Sequence, residues 1–364
     1  MKSYKIKDIC EVVSGGTPST KVNTYWNGDI IWLTPKDLST KKCKWILSSD
    51  NRITREGLNN SSAQMLPINT VLLSSRAPIG YVALAGTELC TNQGFKSMIC
   101  NIKYIHPEYL YYLLQTKVEE LNNISTGSTF KELSSGLLKN YKIAIHEIDT
   151  QQHIVDILGS IDDSIENNEK IAADLEEYAI SKYQEIARGI SEFITLGDIV
   201  DIYDSKRKPL SSRERESRKG DYRYYGATGV LDYVNDYLFD GEYVLLAEDG
   251  TVIDENGYPI VQLVTGQFWV NNHAHIMQAK AGYTNYSLYV ALKKLSVNTA
   301  VTGAVQLKIN QANLCALELP QIDKNKLSAF NQEIEPLFLK IIQIRAEVAK
   351  LNELKQLYLH KFFG

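Results

Sequence analysis

Two histidines in the segment Asn271-Asn272-His273-Ala274-His275 are the sequence's nearest approach to a metal-ligand pair. Residues two apart on a strand face the same way, so both imidazoles could meet one ion. No third ligand stands close in sequence, and a hydrogen-bonded strand pair is the competing reading. Glu353-Leu354-Lys355 has the E-x-K spacing of some nucleases, yet it falls in a helical stretch with no matching upstream Asp strand. The GxSxG elbow, the GxxxxGK phosphate loop, GxGxxG and HExxH are absent. So are the Asn/Asp-Pro-Pro-aromatic signature and glycine-rich cofactor loop of amino-methylating enzymes, so the chain itself is not expected to bind S-adenosylmethionine. Cys10, Cys43, Cys90, Cys100 and Cys315 include no CxxC pair, which argues against a disulfide framework and structural zinc. The expectation is a chain with no catalytic residues and no metal ligands.

Clustered positive charge is the stronger signal. Lys206 to Lys219 carries seven basic residues against two acidic ones. Such clusters suit a polyanion, because each phosphate contact releases condensed counterions. A solvated loop can have the same composition. The 364-residue chain has a formal charge of −4, but that charge is unevenly spread. Residues 1–145 hold 17 Lys+Arg against 11 Asp+Glu, net +6, whereas residues 146–192 hold 3 against 12, net −9. A segment that acidic repels phosphates, so it should stand away from the polyanion.

The elements that must position these residues occur twice. Val71-Leu72-Leu73-Ser74 returns as Val244-Leu245-Leu246-Ala247, and Thr91 to Met98 resembles Val270 to Met277. Tyr109 and Tyr112 match Tyr286 and Tyr289, Thr126-Gly127 matches Thr302-Gly303, and Ile148-Asp149 matches Ile322-Asp323. With Asp8-Ile9, echoed in Asp198-Ile199, these are six matches in one order, and they indicate an internal repeat. Each half reads as short, mostly antiparallel strands with turns such as Asn27-Gly28 and Asp249-Gly250, interrupted by one helix. Those helices are expected over residues 107–121 and 283–295.

A long helix closes each half. Heptads counted from Ile154 place Ile154, Ile157, Ile161, Ile171, Leu175 and Tyr178 on one stripe of a helix over residues 150–188, with Gly189 as its stop. Ile334, Leu337, Ile341, Ile344, Val348 and Leu351 repeat that spacing in the second, where Pro336 marks either a start or a bend. Stripes this long need a partner, and a twofold-like repeat would run the two helices antiparallel.

The motif set resembles the DNA-specificity subunit of type I restriction-modification systems. The resemblance rests on Gly15-Gly16-Thr17-Pro18-Ser19, the run Tyr25 to Leu38 with Trp32-Leu33-Thr34-Pro35-Lys36-Asp37-Leu38, and Ser74-Ser75-Arg76-Ala77-Pro78. Thr91-Asn92-Gln93-Gly94-Phe95 and Thr126 to Ser134 complete it. It extends over the whole chain, although the second half lacks the Gly-Thr-Pro-Ser and Trp-x-Thr-Pro-Lys-Asp-Leu strings. The resemblance implies an α+β protein with two mixed α/β target-recognition domains in a pseudo-twofold repeat, separated by two long helices packed as an antiparallel coiled coil. The expected divisions are residues 1–148, the helix 149–192, residues 193–322 and the helix 323–364.

The same resemblance implies a non-enzymatic reader of double-stranded DNA, each domain holding half of an asymmetric split target. Two methyltransferase subunits would bring S-adenosylmethionine, and restriction subunits, where present, ATP and magnesium. No cofactor would sit on this chain. The DNA-contact candidates are Thr17, Lys36, Arg76, Ser128, Thr129 and Lys131 in the first domain. In the second they are Lys206, Arg207, Lys208, Arg213, Arg215, Arg218 and Arg223. Loop pairing for Arg76 and turn or capping roles for the hydroxyl residues are the competing readings. Trp26 and Trp32 are read as core. A stand-alone nucleic-acid-binding module, or a scaffold without methyltransferase partners, is the alternative function. Met1 to Lys5 has no apolar signal region behind it and no apolar run nears the roughly 18 residues of a membrane span, so a cytoplasmic location is expected.

Overall fold

The computed structural model describes residues 1–41, 43–76, 78–126, 131–303 and 306–364. The chain divides into two compact units. One comprises Met1–Ile165 with Ala349–Gly364, the other Glu166–Val348.

In the first unit, β1 (Lys2–Lys5) leads to β2 (Cys10–Ser14), and further along lie β3 (Val71–Ser75), β4 (Ile79–Ala85) and β5 (Phe95–Cys100). They form a sheet in the order β2-β5-β3-β4 with antiparallel neighbours, and the strand Trp45–Ile46 adds parallel to β4. Strand β3 is buried along its whole length, as a central strand of β-branched and leucine residues should be. Helix α1 (Pro107–Gln115) follows, opening with proline in its first turn, where the missing N–H costs nothing. Strand β6 (Lys142–Ile145) then returns to pair with β1.

The second unit repeats this plan. Its strands include β7 (Phe193–Thr195), β8 (Val200–Ile202), β9 (Lys219–Tyr225), β10 (Val230–Val234), β11 (Phe239–Ala247), β12 (Val261–Val270), β13 (Ala274–Ala279) and β14 (Glu318–Pro320). The sheet order β8-β13-β11-β12 matches β2-β5-β3-β4, and β9 is added parallel to β12 just as Trp45–Ile46 is to β4. Strand β10 extends this sheet alone, and β7 pairs with β14 as β1 does with β6. Helix α2 (Asn285–Lys293) stands where α1 stands, started by a Thr284–Ser287 capping box.

The expected helix over residues 107–121 is two helices, Pro107–Gln115 and Val118–Ile124. The Thr116 hydroxyl donates to the Leu113 carbonyl at 2.8 Å, and this side-chain alternative to the ladder ends the first one.

The central helix spans Ile148–Ala187 and the C-terminal helix Lys324–Phe363. Gly189, at φ +77°, turns the chain after the central helix. Pro336 lies inside the C-terminal helix, which therefore does not start there. Phe330, Ile334 and Phe338, all fully buried on either side of it, compensate the one lost hydrogen bond.

Burial departs from the heptad count. In the first unit Ile154, Leu158 and Ile161 of the central helix are buried; in the second, Ala172, Ala179, Ile180 and Tyr183 are. Ile154 and Ala172 are eighteen residues apart, as are Ile161 and Ala179, which is five turns of a helix of period 3.6. Counting at 3.5 instead selects Ile171 and Tyr178, which are exposed, whereas Ile157 and Leu175 are half-buried. Tyr178 nonetheless reaches the C-terminal helix, its hydroxyl donating to Glu333 at 2.7 Å. On that helix Ile334, Ile341 and Ile344 are buried, and Leu337, Val348 and Leu351 are half-buried. Within the second unit Glu176 meets Arg345 and Tyr183 meets Phe330, so the helices run antiparallel.

Candidate nucleic-acid interface

In the first domain the motif-bearing loops gather at one end of the sheet. Strand β2 ends at Ser14, β3 at Ser75, and β5 begins at Phe95, with Ser14 and Leu73 both opposite Lys96. Gly15 and Gly16 follow β2 because nothing larger fits. A Cβ on Gly15 would strike the Asn92 and Thr91 carbonyl oxygens, and one on Gly16 the backbone of Ser62 and Ala63. The Gly16 carbonyl accepts from the Trp32 indole at 2.9 Å, which fixes the turn. Trp32 is buried, and half-buried Trp26 meets it edge-on at 5.1 Å.

Thr17 is exposed and donates to the Gln93 side-chain carbonyl. Arg76 is half-buried, directly after β3. Beside it Lys96 is buried, its ammonium 3.4 Å from the Gln93 carbonyl and 3.9 Å from Glu132. Burial holds Lys96 below its ordinary range, opposed by Glu132 and aided by Arg76 repulsion. Lys131 is exposed, with Nζ 3.3 Å from the Asn122 carbonyl, and the Leu133 amide donates to Ser75 at 2.9 Å, returning this loop to the same sheet end. Ser128 and Thr129 lie outside the described residues. Lys36 is exposed on the helix Pro35–Lys41, whose start is fixed by Asp37 accepting from the Thr34 amide and hydroxyl and from Ser49. Gln93 and Lys96 were not singled out as contacts from sequence; the repeat match at Thr91–Met98 covers both, and the motif Thr91-Asn92-Gln93-Gly94-Phe95 covers Gln93.

In the second domain the basic cluster divides by partner. Arg207 is an internal strut. Its guanidinium lies 2.6 Å from Glu248 and 3.4 Å from Asp204, donates to the Ala274 carbonyl at 2.8 Å, and its side chain is 14% exposed. Arg215 donates to the Leu210 carbonyl and Asp232 and lies over the Tyr224 ring at 5.3 Å. Arg218 lies over the Trp269 ring at 5.0 Å and reaches Asp236 at 3.5 Å. Lys206 is exposed, its ammonium 4.8 Å from the Tyr203 ring. Lys208, Arg213 and Arg223 are exposed. Arg213 stands on the helix Ser212–Ser217, started by a Ser211–Glu214 capping box. Lys208 and Arg213 are thus exposed cations of the segment that Arg207 and Arg215 help to shape, whereas Arg223 stands on β9 beside Ile342, Arg345 and Ala346 of the C-terminal helix.

The two histidines do not converge. His273 precedes β13 and its ring meets Asp249 at 2.5 Å. His275 is buried, with Nδ1 2.5 Å from Asp204 and Nε2 2.8 Å from the Ile309 carbonyl. Asp204 and Glu248 supply the ligand-type neighbours that sequence proximity had hidden. Arg207 already brings a positive charge to this set. Lys355 of the E-x-K triplet faces Asp162 at 2.6 Å. Cys10, Cys90, Cys100 and Cys315 form no disulfide.

A family model described as the type I restriction modification DNA specificity domain matches residues 1–177 and again 191–356. The chain belongs to this DNA-specificity family. Members are the non-catalytic DNA-recognition components of type I systems, so DNA and the other subunits of such a complex are its partners. The type I restriction enzyme MjaIX specificity subunit of Methanocaldococcus jannaschii is 32% identical over 401 residues, covering 99% of this chain and 92% of that one. A putative type I specificity subunit of Haemophilus influenzae is 37% identical over 129 residues, 35% of this chain and 32% of its own. The crystal structure of the type I S subunit from M. genitalium covers 100% of this chain and 96% of its own with TM-score 0.59 at 16% identity, a likeness of fold. Among the described residues no helix is long and apolar enough to cross a membrane.

Proposed function

We propose that the two globular domains, residues 1–148 and 193–322, each read one half of an asymmetric split DNA target in the cytoplasm. The observation that carries this reading is one sheet order occurring twice with unlike loops. The first domain offers Thr17, Lys36, Arg76, Ser128, Thr129 and Lys131, the second Lys208, Arg213 and Arg223, so the same framework would face two different sequences. Arginine paired to guanine contributes about 1–3 kcal/mol of base discrimination, which makes Arg76, Arg213 and Arg223 the readers and the lysines phosphate anchors.

The segments 149–192 and 323–364 act as the spacer and dock two methyltransferase subunits, which carry S-adenosylmethionine and extrude the target adenine for methylation at N6. Restriction subunits, with ATP and magnesium, join the same complex. Asp163, Glu166, Glu169, Asp174 and Glu177 are exposed on the central helix, an acidic face that DNA would avoid. Exchanging residues 193–322 for those of a relative, followed by single-molecule methylation sequencing in cells that express the methyltransferase partner, tests this. One half of the methylated motif should change and the other persist; an unchanged motif refutes the assignment.

A further inference from the structure

The two domains differ in their loops and agree in one joint. In the first unit the Tyr112 hydroxyl of α1 donates to Asp162 of the central helix at 2.7 Å, and Lys355 of the C-terminal helix faces the same carboxylate at 2.6 Å. In the second unit the Tyr289 hydroxyl of α2 donates to Glu176 at 2.7 Å, and Arg345 lies 3.1 Å from that carboxylate. A cation covers each ring, Lys355 at 5.8 Å from the Tyr112 ring and Lys293 at 5.5 Å from that of Tyr289. An aromatic contact to the C-terminal helix stands beside each joint, Tyr109 on Phe363 at 5.2 Å and Tyr286 on Phe338 at 4.9 Å. Burial, and after it the adjacent carboxylate, pushes both phenols up, so they remain donors. The same junction of a tyrosine, an acid and a base, each on a different helix, is therefore built twice, with Lys44 added at Tyr112 and Lys293 added at Glu176.

We propose that these two junctions are the positioning elements that lock each recognition domain to its own stretch of helix and thereby hold the gap between half-sites to one length. Packing alone secures a helix against a domain with some freedom to slide and rotate; a directed, charge-assisted hydrogen bond in a shielded site removes that freedom. Asp162 and Glu176 lie fourteen residues apart on one continuous helix, so each domain is tied to a fixed point of it. The inference rests on the split-target reading above.

The test uses the chain with its methyltransferase partner in cells, comparing wild type, Tyr112→Phe, Tyr289→Phe, the double variant and Lys355→Arg. Phenylalanine keeps the ring and loses only the hydroxyl, which in Tyr112 also accepts from Lys44 at 3.0 Å. Single-molecule methylation sequencing reads the half-site letters and the share of methylated sites whose gap is one base pair too long or short. That share should rise about tenfold in the double variant, with the letters unchanged, whereas Lys355→Arg keeps the wild-type gap. A double variant that melts earlier or methylates less, yet keeps the gap distribution, overturns the proposal and leaves the junctions as ordinary stabilising contacts. If the double variant yields no complex, the two single tyrosine variants decide by the same ratio. A wild-type chain that gives no fixed gap overturns the split-target reading itself, and the junctions with it.

Discussion

Arg207 separates a structural role from a DNA contact, because the two roles predict opposite results for Arg207→Ala. The substitution leaves Asp204 and Glu248, 7% and 13% exposed, without their guanidinium, with His275, Lys308 and the Ile276 amide still beside them. Removing one partner of a buried ion pair costs about 3–5 kcal/mol. In a unit of this size each kcal/mol lowers the melting temperature by about 2–4 °C, so a drop of roughly 6–20 °C is expected by circular dichroism or calorimetry.

The pH dependence carries a sign as well. Burial alone would raise the Glu248 carboxyl, yet Arg207, His275 and Lys308 outweigh it and hold the group below its ordinary 4.5. A depressed carboxyl contributes stability that is fully present above 4.5 and is lost as the pH falls through its folded value. The gap between wild type and variant should therefore be complete at neutral pH and narrow in acid. A melting temperature within about 2 °C of wild type, combined with a salt slope of DNA binding smaller by about one, would refute the strut and make Arg207 a phosphate contact.

The other predictions concern the exposed cations and the spacer. Lys208→Ala should leave the melting temperature within about 2 °C, because the side chain is exposed, while reducing the slope of log K against log salt by about one; an unchanged slope removes it from the interface. Inserting one helical turn, about four residues, after Asn168 should lengthen the gap in the methylated motif. Methylation at the old gap would show that the helices do not set it.

The repeat was legible because it is carried by core residues. Val71 to Ser74 and Val244 to Ala247 do lie on equivalent central strands, and Tyr109, Tyr112, Tyr286 and Tyr289 on equivalent helices. The long helices were legible from periodicity, but the buried stripe was not, since the heptad assumption rotates away from a 3.6-residue helix by about 20° per heptad. Ile171 and Tyr178 are exposed for that reason, although Tyr178 does meet Glu333 of the C-terminal helix. Charge density found the basic loop but could not divide it. Whether an arginine points outward depends on carboxylates distant in sequence, Glu248 for Arg207 and Asp232 for Arg215, brought close only by strand pairing. Asp204 and Glu248, the other two ligand-type groups of the cluster around His275, were hidden for the same reason.

The first unit is not contiguous. Its core includes Leu359 and Phe363, which the ribosome adds only after every residue of the second unit. The part of the protein that emerges first is thus the last to be finished, and until then it keeps an open apolar seam around Tyr109. A nascent chain in this state carries an unsealed first reader while the second is still being made, a period of vulnerability to aggregation that lasts for the synthesis of an entire domain.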